Sequence, residues 1–419
     1  MDARLFRYLF ENSSDAVIMS GCIWDKGVRE QLRYVYTCEM SHNSAEQRRQ
    51  DGNEPMFYKG SPIHLFIMGS FSLEDAQRLI HTVRHDTVET VIIPYVAPIQ
   101  RFLVMQAMLS QGITDTDVAE FIQSPYLYLK QSGIKKFFFI YGNGKVFEKT
   151  EMEMYPGFYF ESQDEAILDI IEEMEGYRIP VMKAGHIINN RMLFQFGYFG
   201  IDLYRIRHFL FHYTKSMRIE KADERQVWKM LLAYRKAFSD CGMETLTMFC
   251  SPTEIIATKT DCVLNTIVID REDFCHADIE RDDGRCTVKC MLYNDYDVCH
   301  CHRTENAELR AGILLLGNIR LSKHIQELQC HYKMVSQQIR AISIPNCGNV
   351  YNWENSLTDM NVRKNAIFWI CPLSANTQNQ MLREIKSKNA RYRIIVLNEE
   401  YGCCFNGFLT EKEEETGVF

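Results

Sequence analysis

Apolar and polar positions along this chain switch between two periods. Ile63 to Met68 is a short apolar run of strand length. Leu73 to Arg84 follows with apolar residues at Leu73, Ala76, Leu79, Ile80 and Val83, the spacing of one helix face. Thr90 to Pro94 has strand character again. Arg101 to Leu109, Asp115 to Gln123 and Pro125 to Gln131 predict helices, the second capped by Thr114 or Asp115. Ile134 to Tyr141 predicts a strand, closed by an Asn143-Gly144 turn. Gln163 to Glu175 predicts an acidic amphipathic helix. Arg191 to Phe199 and Leu203 to Tyr213 predict aromatic-rich strands, and Asp223 to Ser239 a helix. Later strands are expected at Thr245 to Phe249, Thr266 to Ile269, Ile313 to Leu316, Ser343 to Pro345, Ala366 to Ile370 and Arg393 to Leu397, with a late helix at Gln378 to Lys386. Ser41 to Glu54 reads as a loop and Glu411 to Glu415 as an acidic tail. Strands interleaved with helices predict an α/β layered protein.

Composition narrows the class. The 419 residues suit two to three domains or one large one, with 46% hydrophobic and 24% charged residues. That balance excludes a disordered chain and a coiled coil. No run of eighteen apolar residues exists, so no membrane span is expected. The start is not a basic segment leading into an apolar run, so no signal peptide is expected either. Fifteen cysteines without an export signal point to a reducing cytoplasm, with free thiols or metal ligands. A net charge of −8 argues against a general nucleic-acid coat and leaves a local basic groove open.

Three segments carry a resemblance. Leu65-Phe66-Ile67-Met68-Gly69-Ser70-Phe71-Ser72-Leu73-Glu74-Asp75, then an amphipathic helix and Val91-Ile92-Ile93-Pro94-Tyr95, resembles the strand–loop–helix of the metallo-β-lactamase fold, whose loop reads Ser-His-x-His-x-Asp-His. Asn265 to Val268, then Gly312-Ile313-Leu314-Leu315-Leu316-Gly317-Asn318, resembles that family's strand pair ending in Leu-x-Gly-Asp. Ile344-Pro345-Asn346-Cys347-Gly348-Asn349, with Asn352-Trp353, is similar to the Pro-His-His-Gly segment of DNA-uptake-type and related bacterial members. The resemblance covers roughly Ser14 to Leu397. It implies one metallo-β-lactamase-like domain over residues 1–419, an αββα four-layer sandwich. A helical insertion at 101–133 and a cysteine/histidine-rich insertion at 271–310 interrupt it.

The departures carry the functional expectation. The family holds two metal ions with imidazoles and carboxylates. Here the corresponding positions fall on Ser70, Ser72, Glu74, Asp75, Asn318, Asn346 and Cys347, with no histidine among them. A serine hydroxyl is a poor zinc ligand, and a neutral Asn does not hold two cations together. Without the metals no bound water is acidified towards neutrality, so the hydroxide nucleophile is lost. The resemblance therefore implies no catalytic residue and no cofactor at the ancestral di-metal site. Glu74, Asp75 and Asp86 remain as hard oxygen donors for a rebuilt magnesium or manganese site. The plainer alternative is that Glu74 and Asp75 favour the N-terminus of the following helix. His81 and His85 lie four apart on that helix and can meet on one face.

Two further groups invite chemistry. Cys286, Cys290, Cys299 and Cys301, among His276, His300 and His302, suit a structural tetrahedral zinc, although their spacing is not the usual Cys-x-x-Cys knuckle. Buried free thiols explain the same pattern. Arg205, Arg207, His208 and Lys215, interleaved with Tyr204, Phe209, Phe211 and Tyr213, suit a grip on single-stranded nucleic acid. An amphipathic strand, polar outside and aromatic inside, accounts for them too. Gly142-Asn143-Gly144-Lys145 lacks the full phosphate-loop pattern and reads as a turn. Nothing near Cys347 in sequence lowers a thiol pKa, so it reads as inert.

The expectation is a pseudoenzyme: a scaffold or sensing subunit for a protein partner, or for a small ligand in the vacated cleft. By family analogy the setting is a bacterial operon of the anti-phage defence kind. Two rivals stand beside it. One is a metal-dependent nuclease or phosphodiesterase with a rebuilt site, and the other a zinc-stabilised nucleic-acid binder.

Overall fold

The structure, a computed structural model, describes residues 4–13, 16–24, 32–39, 62–143, 165–184, 186–188, 192–216, 224–239, 244–252, 261–270, 312–348, 352, 354, 356–357, 368–372, 393–397 and 401–410. These residues form an α/β arrangement of two sheets and eight α-helices. None of the described helices is long and apolar enough to cross a membrane.

The first sheet opens with an antiparallel meander of β1 (Arg4–Ser13), β2 (Ala16–Trp24) and β3 (Leu32–Glu39). Four parallel strands continue from β3: β4 (Leu65–Met68), β5 (Thr90–Pro94), β6 (Lys136–Asn143) and β7 (Val181–Ala184). Parallel neighbours need a crossover, and the helices supply it. α1 (Leu73–His85) links β4 to β5. α2 (Pro98–Ser110), α3 (Thr116–Gln123) and α4 (Pro125–Gln131) link β5 to β6, and α5 (Glu165–Glu175) lies between β6 and β7. Asp115 caps α3, its carboxylate accepting from Asp117 N and Val118 N.

The second sheet starts with β8 (His186–Ile188) and β9 (Met192–Phe199). Two helices, α6 (Leu203–Ser216) and α7 (Glu224–Ala237), precede β10 (Thr245–Pro252). The chain then crosses to the first sheet as β11 (Asp261–Asp270) and returns as β12 (Gly312–Leu315). α8 (Leu321–His331) leads into β13 (Ile339–Ser343), followed by β14 (Phe368–Pro372) and β15 (Arg393–Leu397), all three strands parallel to β12. The last strand, β16 (Tyr401–Thr410), fills the gap between β1 and β11, antiparallel to both.

Side-chain alternation shows how the sheets stack. In β12, Ile313 and Leu315 join the large core, whereas Leu314 and Leu316 face the other way. In β9 and β10 the same split sends Phe194, Phe196, Met248 and Cys250 to the large core and Leu193 and Phe249 to the opposite face. That opposite face is covered by α8 through Leu321 and Leu328, with Tyr332 and Val335 beyond it. The inner face meets the first sheet: the Tyr34 ring of β3 stands edge-on to Phe194 of β9, centroids 4.7 Å apart. α1 packs Leu73, Ala76, Leu79 and Ile80 onto the first sheet's core, and Phe71 stacks on Phe121 of α3.

Several expectations need correction. Leu203 to Tyr213 is helix α6, not a strand. The apolar residues Leu203, Ile206, Phe209 and Tyr213 follow helical spacing, and Asp202 starts the helix by accepting from Tyr204 N at 2.9 Å. The Asn265 to Val268 segment does not pair with Gly312 to Leu315. It lies in β11 beside β16, while β12 pairs with β10 and β13. The strand placed at Ser343 to Pro345 is β13, ending at Ser343, and Pro345–Gly348 is a 3₁₀ turn. Helix α8 and strands β1, β2, β3, β7, β8 and β16 are not anticipated by the pattern. The Ser41 to Glu54 loop, the late helix and the acidic tail lie outside the described residues.

Candidate functional site

The positions that carry the resemblance meet where strands of both sheets end. β4 ends at Met68, and Gly69 N donates to Thr37 O of β3. Ser70 forms an isolated antiparallel bridge with Thr245, and Leu246 N donates to Gly69 O at 2.7 Å. These bonds clamp the loop after β4 onto the first residues of β10. The loop after β12 arrives through Gly317, whose φ is +54°. A Cβ there would stand 2.8 Å from Thr245 Cγ2, 2.8 Å from the Tyr36 hydroxyl and 3.0 Å from Cys38 Sγ, so only glycine fits. The loop after β13 joins through Asn346 N, which donates to Gly317 O at 3.1 Å. Asn346 has φ 47°, a left-handed conformation that Asn tolerates better than most residues.

Asp75 is the polar centre of the first half. Its side chain is fully buried. Oδ2 accepts from Ser70 Oγ at 2.5 Å and from Glu39 N at 2.9 Å, and Oδ1 accepts from Arg78 Nη1 at 3.3 Å. The carboxylate thus ties the end of β3, the loop after β4 and the first turn of α1 into one knot. The helix is capped by Ser72, whose Oγ accepts from Asp75 N at 3.0 Å. The expectation that Glu74 and Asp75 act together as helix-terminal charges therefore needs revision for Asp75, which is spent on hydrogen bonds across three elements.

Around this knot burial governs the titration. Burial pushes the Cys38 thiol up, and the charge of Asp75 adds to it, so the thiol is not a thiolate nucleophile. The Tyr36 hydroxyl is likewise pushed up by burial, and it donates to Leu246 O at 2.8 Å across the sheets. Glu39 is raised to about 8, first by burial and then by Glu74 and Asp75. It is therefore mostly protonated near neutrality.

The second half is held by amides. Asn352 Nδ2 donates to Asn318 O at 3.1 Å and to Ile319 O at 3.2 Å, and Leu321 N donates to Asn352 O. Asn346 Nδ2 reaches Asn352 Oδ1 at 3.4 Å. Asn318 Oδ1 is buried and meets no hydrogen-bond donor among the described residues.

Ser70, Ser72, Asp75, Asn318 and Asn346 are thus brought together, and none is more than 8% exposed. Glu74 sits beside them, half-buried. The backbone of Cys347 lies in the 3₁₀ turn, and its side chain lies outside what is described. These groups do not suit two metal ions. Both serine hydroxyls and the one central carboxylate are engaged with each other and with backbone, and the remaining positions offer neutral amides. Among the described residues no three His, Cys, Asp or Glu side chains converge as metal ligands. A ligand at this point would have to part loops that are hydrogen-bonded to one another.

Other singled-out residues have local roles. His64 Nδ1 accepts from Arg33 N at 3.0 Å. His81 and His85 do meet on one helix face, centroids 4.4 Å apart. Asp86 terminates α1, its N donating to Thr82 O. Asn143 ties the sheets together, accepting from Tyr198 N at 2.7 Å and donating to Tyr198 O. Cys286, Cys290, Cys299 and Cys301 lie outside the described residues, so the zinc expectation is not addressed by this geometry. The pattern gave no emphasis to Tyr36, Cys38, Glu39, Arg78 and Thr245. The available signal was Glu39, an acid ending the strand Leu32–Glu39. No protein-family model, no curated protein and no solved structure matches this chain.

Proposed function

We propose that this chain is a catalytically degenerate protein of the metallo-β-lactamase fold, an αββα sandwich acting as a scaffold or sensing subunit for a protein partner. The bacterial anti-phage setting is part of the same proposal and rests on family analogy alone. One observation supports the reading above the others. The loops that in such a fold present metal ligands here present Ser70 bonded to Asp75, and Asn346 and Asn318 each bonded to Asn352, all shut from solvent. Hydrolysis needs a group that water and substrate can reach, and this knot offers none.

The rival reading, a hydrolase with a rebuilt metal site, turns on Glu74. The test is hydrolysis of bis-p-nitrophenyl phosphate and of plasmid DNA with added manganese or zinc, by the parent chain and by Glu74→Ala. Equal background rates in both proteins are expected. Turnover that EDTA stops and Glu74→Ala abolishes would establish the hydrolase instead. Asp75 is unsuited to this test, because its removal breaks the knot whatever the function.

A further inference from the structure

A second feature lies on α6 and α7. The start of α6 meets the end of α7: Phe209 stands edge-on to Tyr234 and Phe238 at 5.6 and 5.8 Å, and the Arg205 guanidinium lies 5.4 Å from the Phe238 ring. Between them runs a groove of about 740 Å³, lined by Tyr204, Arg205, His208, His212, Tyr213 and Phe238 among others. His208 Nε2 and His212 Nε2 are 3.0 Å apart, so one imidazole donates to the other across a single helical turn.

The charge carried by these two helices runs against the net charge of the chain. The two helices carry seven Lys and Arg and one Glu, in a protein of net charge −8. Arg207 is paired with Glu173 of α5, and Arg205 lines the groove. Large flat rings also face outward. Tyr204, which lines the groove, is 51% exposed, and Phe211 on the same helix is 60% exposed. An amphipathic element that hides its aromatics does not account for them. Lys215 lies 5.9 Å from the Phe211 ring, so cation and ring are presented together.

We propose that this groove binds single-stranded nucleic acid, with bases stacked on exposed rings such as Tyr204 and phosphates met by Arg205 and its basic neighbours. The chemistry selects this ligand over the alternatives. A divalent cation at the histidine pair would sit beside the Arg205 guanidinium without a third ligand among the described residues. A duplex keeps its base faces stacked away from any ring. An acidic peptide satisfies the charge and leaves the rings without a partner. A single strand supplies both phosphates and free π faces. The proposal goes beyond the scaffold reading, and its failure would leave that reading untouched.

The test uses the full chain and fluorescein-labelled dT12, followed by anisotropy at several salt concentrations. Binding is expected to weaken steeply with salt, because phosphate contacts release counterions. Tyr204→Ala is expected to weaken binding about tenfold, the loss of one stacked base. Arg205→Ala is expected to reduce the slope of log affinity against log salt by about 0.7, one phosphate on a single strand. Both side chains are exposed, and equal melting temperatures of the variants confirm that folding is kept. Arg84→Ala, at a distant ion-pair cluster with Asp115 and Asp117, is the surface control and is expected to bind like the parent. Three results overturn the proposal. The first is no binding of dT12 tighter than about 100 µM at 50 mM salt, the weak end of non-specific affinities. The second is an unchanged affinity in Tyr204→Ala. The third is equal binding of a poly-glutamate peptide, which would make the groove a site for an acidic protein segment.

Discussion

The carboxyl of Glu39 makes the knot sensitive to pH in a direction that can be worked out. Its backbone N is held by Asp75, so the side chain stays beside Glu74 and Asp75 as long as the fold persists. Burial is the main cause of its rise from 4.5 to about 8, and the two neighbouring acids add to it. The folded value is raised, so the unfolded chain gives up this proton more readily. Its contribution to stability is complete below pH 4.5 and is lost progressively as pH climbs towards 8. At 1.36 kcal/mol per unit, the full loss is on the order of 4–5 kcal/mol, an upper bound. Glu39→Gln keeps the size and the backbone donor and removes the titration. Thermal unfolding of parent and variant at pH 5 and pH 9 reads the effect, because histidines and other titrating groups are common to both and cancel in the difference. Near-equal melting at pH 5 is expected, with the variant more stable by several degrees at pH 9. The same difference at both pH values, or a less stable variant at pH 9, would refute the reasoning.

Other outcomes follow from the same contacts. Glu74→Gln removes one of the charges that raise Glu39, so the loss of stability with rising pH should end at a lower pH and be smaller in total, seen in the same melting series. Asp75→Ala leaves Ser70 Oγ and Glu39 N without their acceptor and should cost about 2–5 kcal/mol, measured by denaturant unfolding at pH 5, where Glu39 is protonated in the fold. Gly317→Ala forces a Cβ into Thr245 and Tyr36 and should destabilise far more than Gly112→Ala, which also has positive φ but meets nothing within 4 Å; the melting temperatures of the pair compare them. Glu175→Gln weakens the buried partner of Arg101 and the acceptor of Tyr95 OH, and should cost about 3 kcal/mol with little salt dependence, in contrast to Arg84→Ala at the surface, which should cost less than about 1 kcal/mol.

Much of the α/β layering was legible because β4, α1, β5 and the three helices after it have clean periods and clear caps. Arg393 to Leu397 was placed to the residue. The misses have physical causes. Leu203 to Tyr213 alternates Arg, Arg, Phe, Phe at every second position, which imitates a strand, while the true inward stripe of Leu203, Ile206, Phe209 and Tyr213 is diluted by outward aromatics. The same outward aromatics are what make the α6–α7 groove notable. Pairing β11 with β12 rests on the resemblance to a family strand pair, and nothing local in either segment reveals that one belongs to the other sheet. At the knot, Ser70, Asp75, Asn318 and Asn346 lie in loops that the sequence pattern marks as strand ends, and the structure brings those loops together. The partners that close it, Tyr36, Glu39 and Thr245, come from strands far away in sequence, and pairing at that range leaves no local mark.

The placement of β16 between β1 and β11 also governs the order in which this protein can be made. The meander of β1, β2 and β3 is available once the chain has emerged to residue 39, yet the outer edge of β1 finds its partner only at residues 401–410. At translation rates of about 5–20 residues per second, roughly 360 further residues take on the order of 20–70 s to emerge. Throughout that interval β1 presents a row of unpaired amides, the surface that invites strand-on-strand aggregation. During synthesis this chain should therefore depend on holding chaperones, and shortening its last strand should cost yield in the cell more than it costs the residues that β16 does not touch.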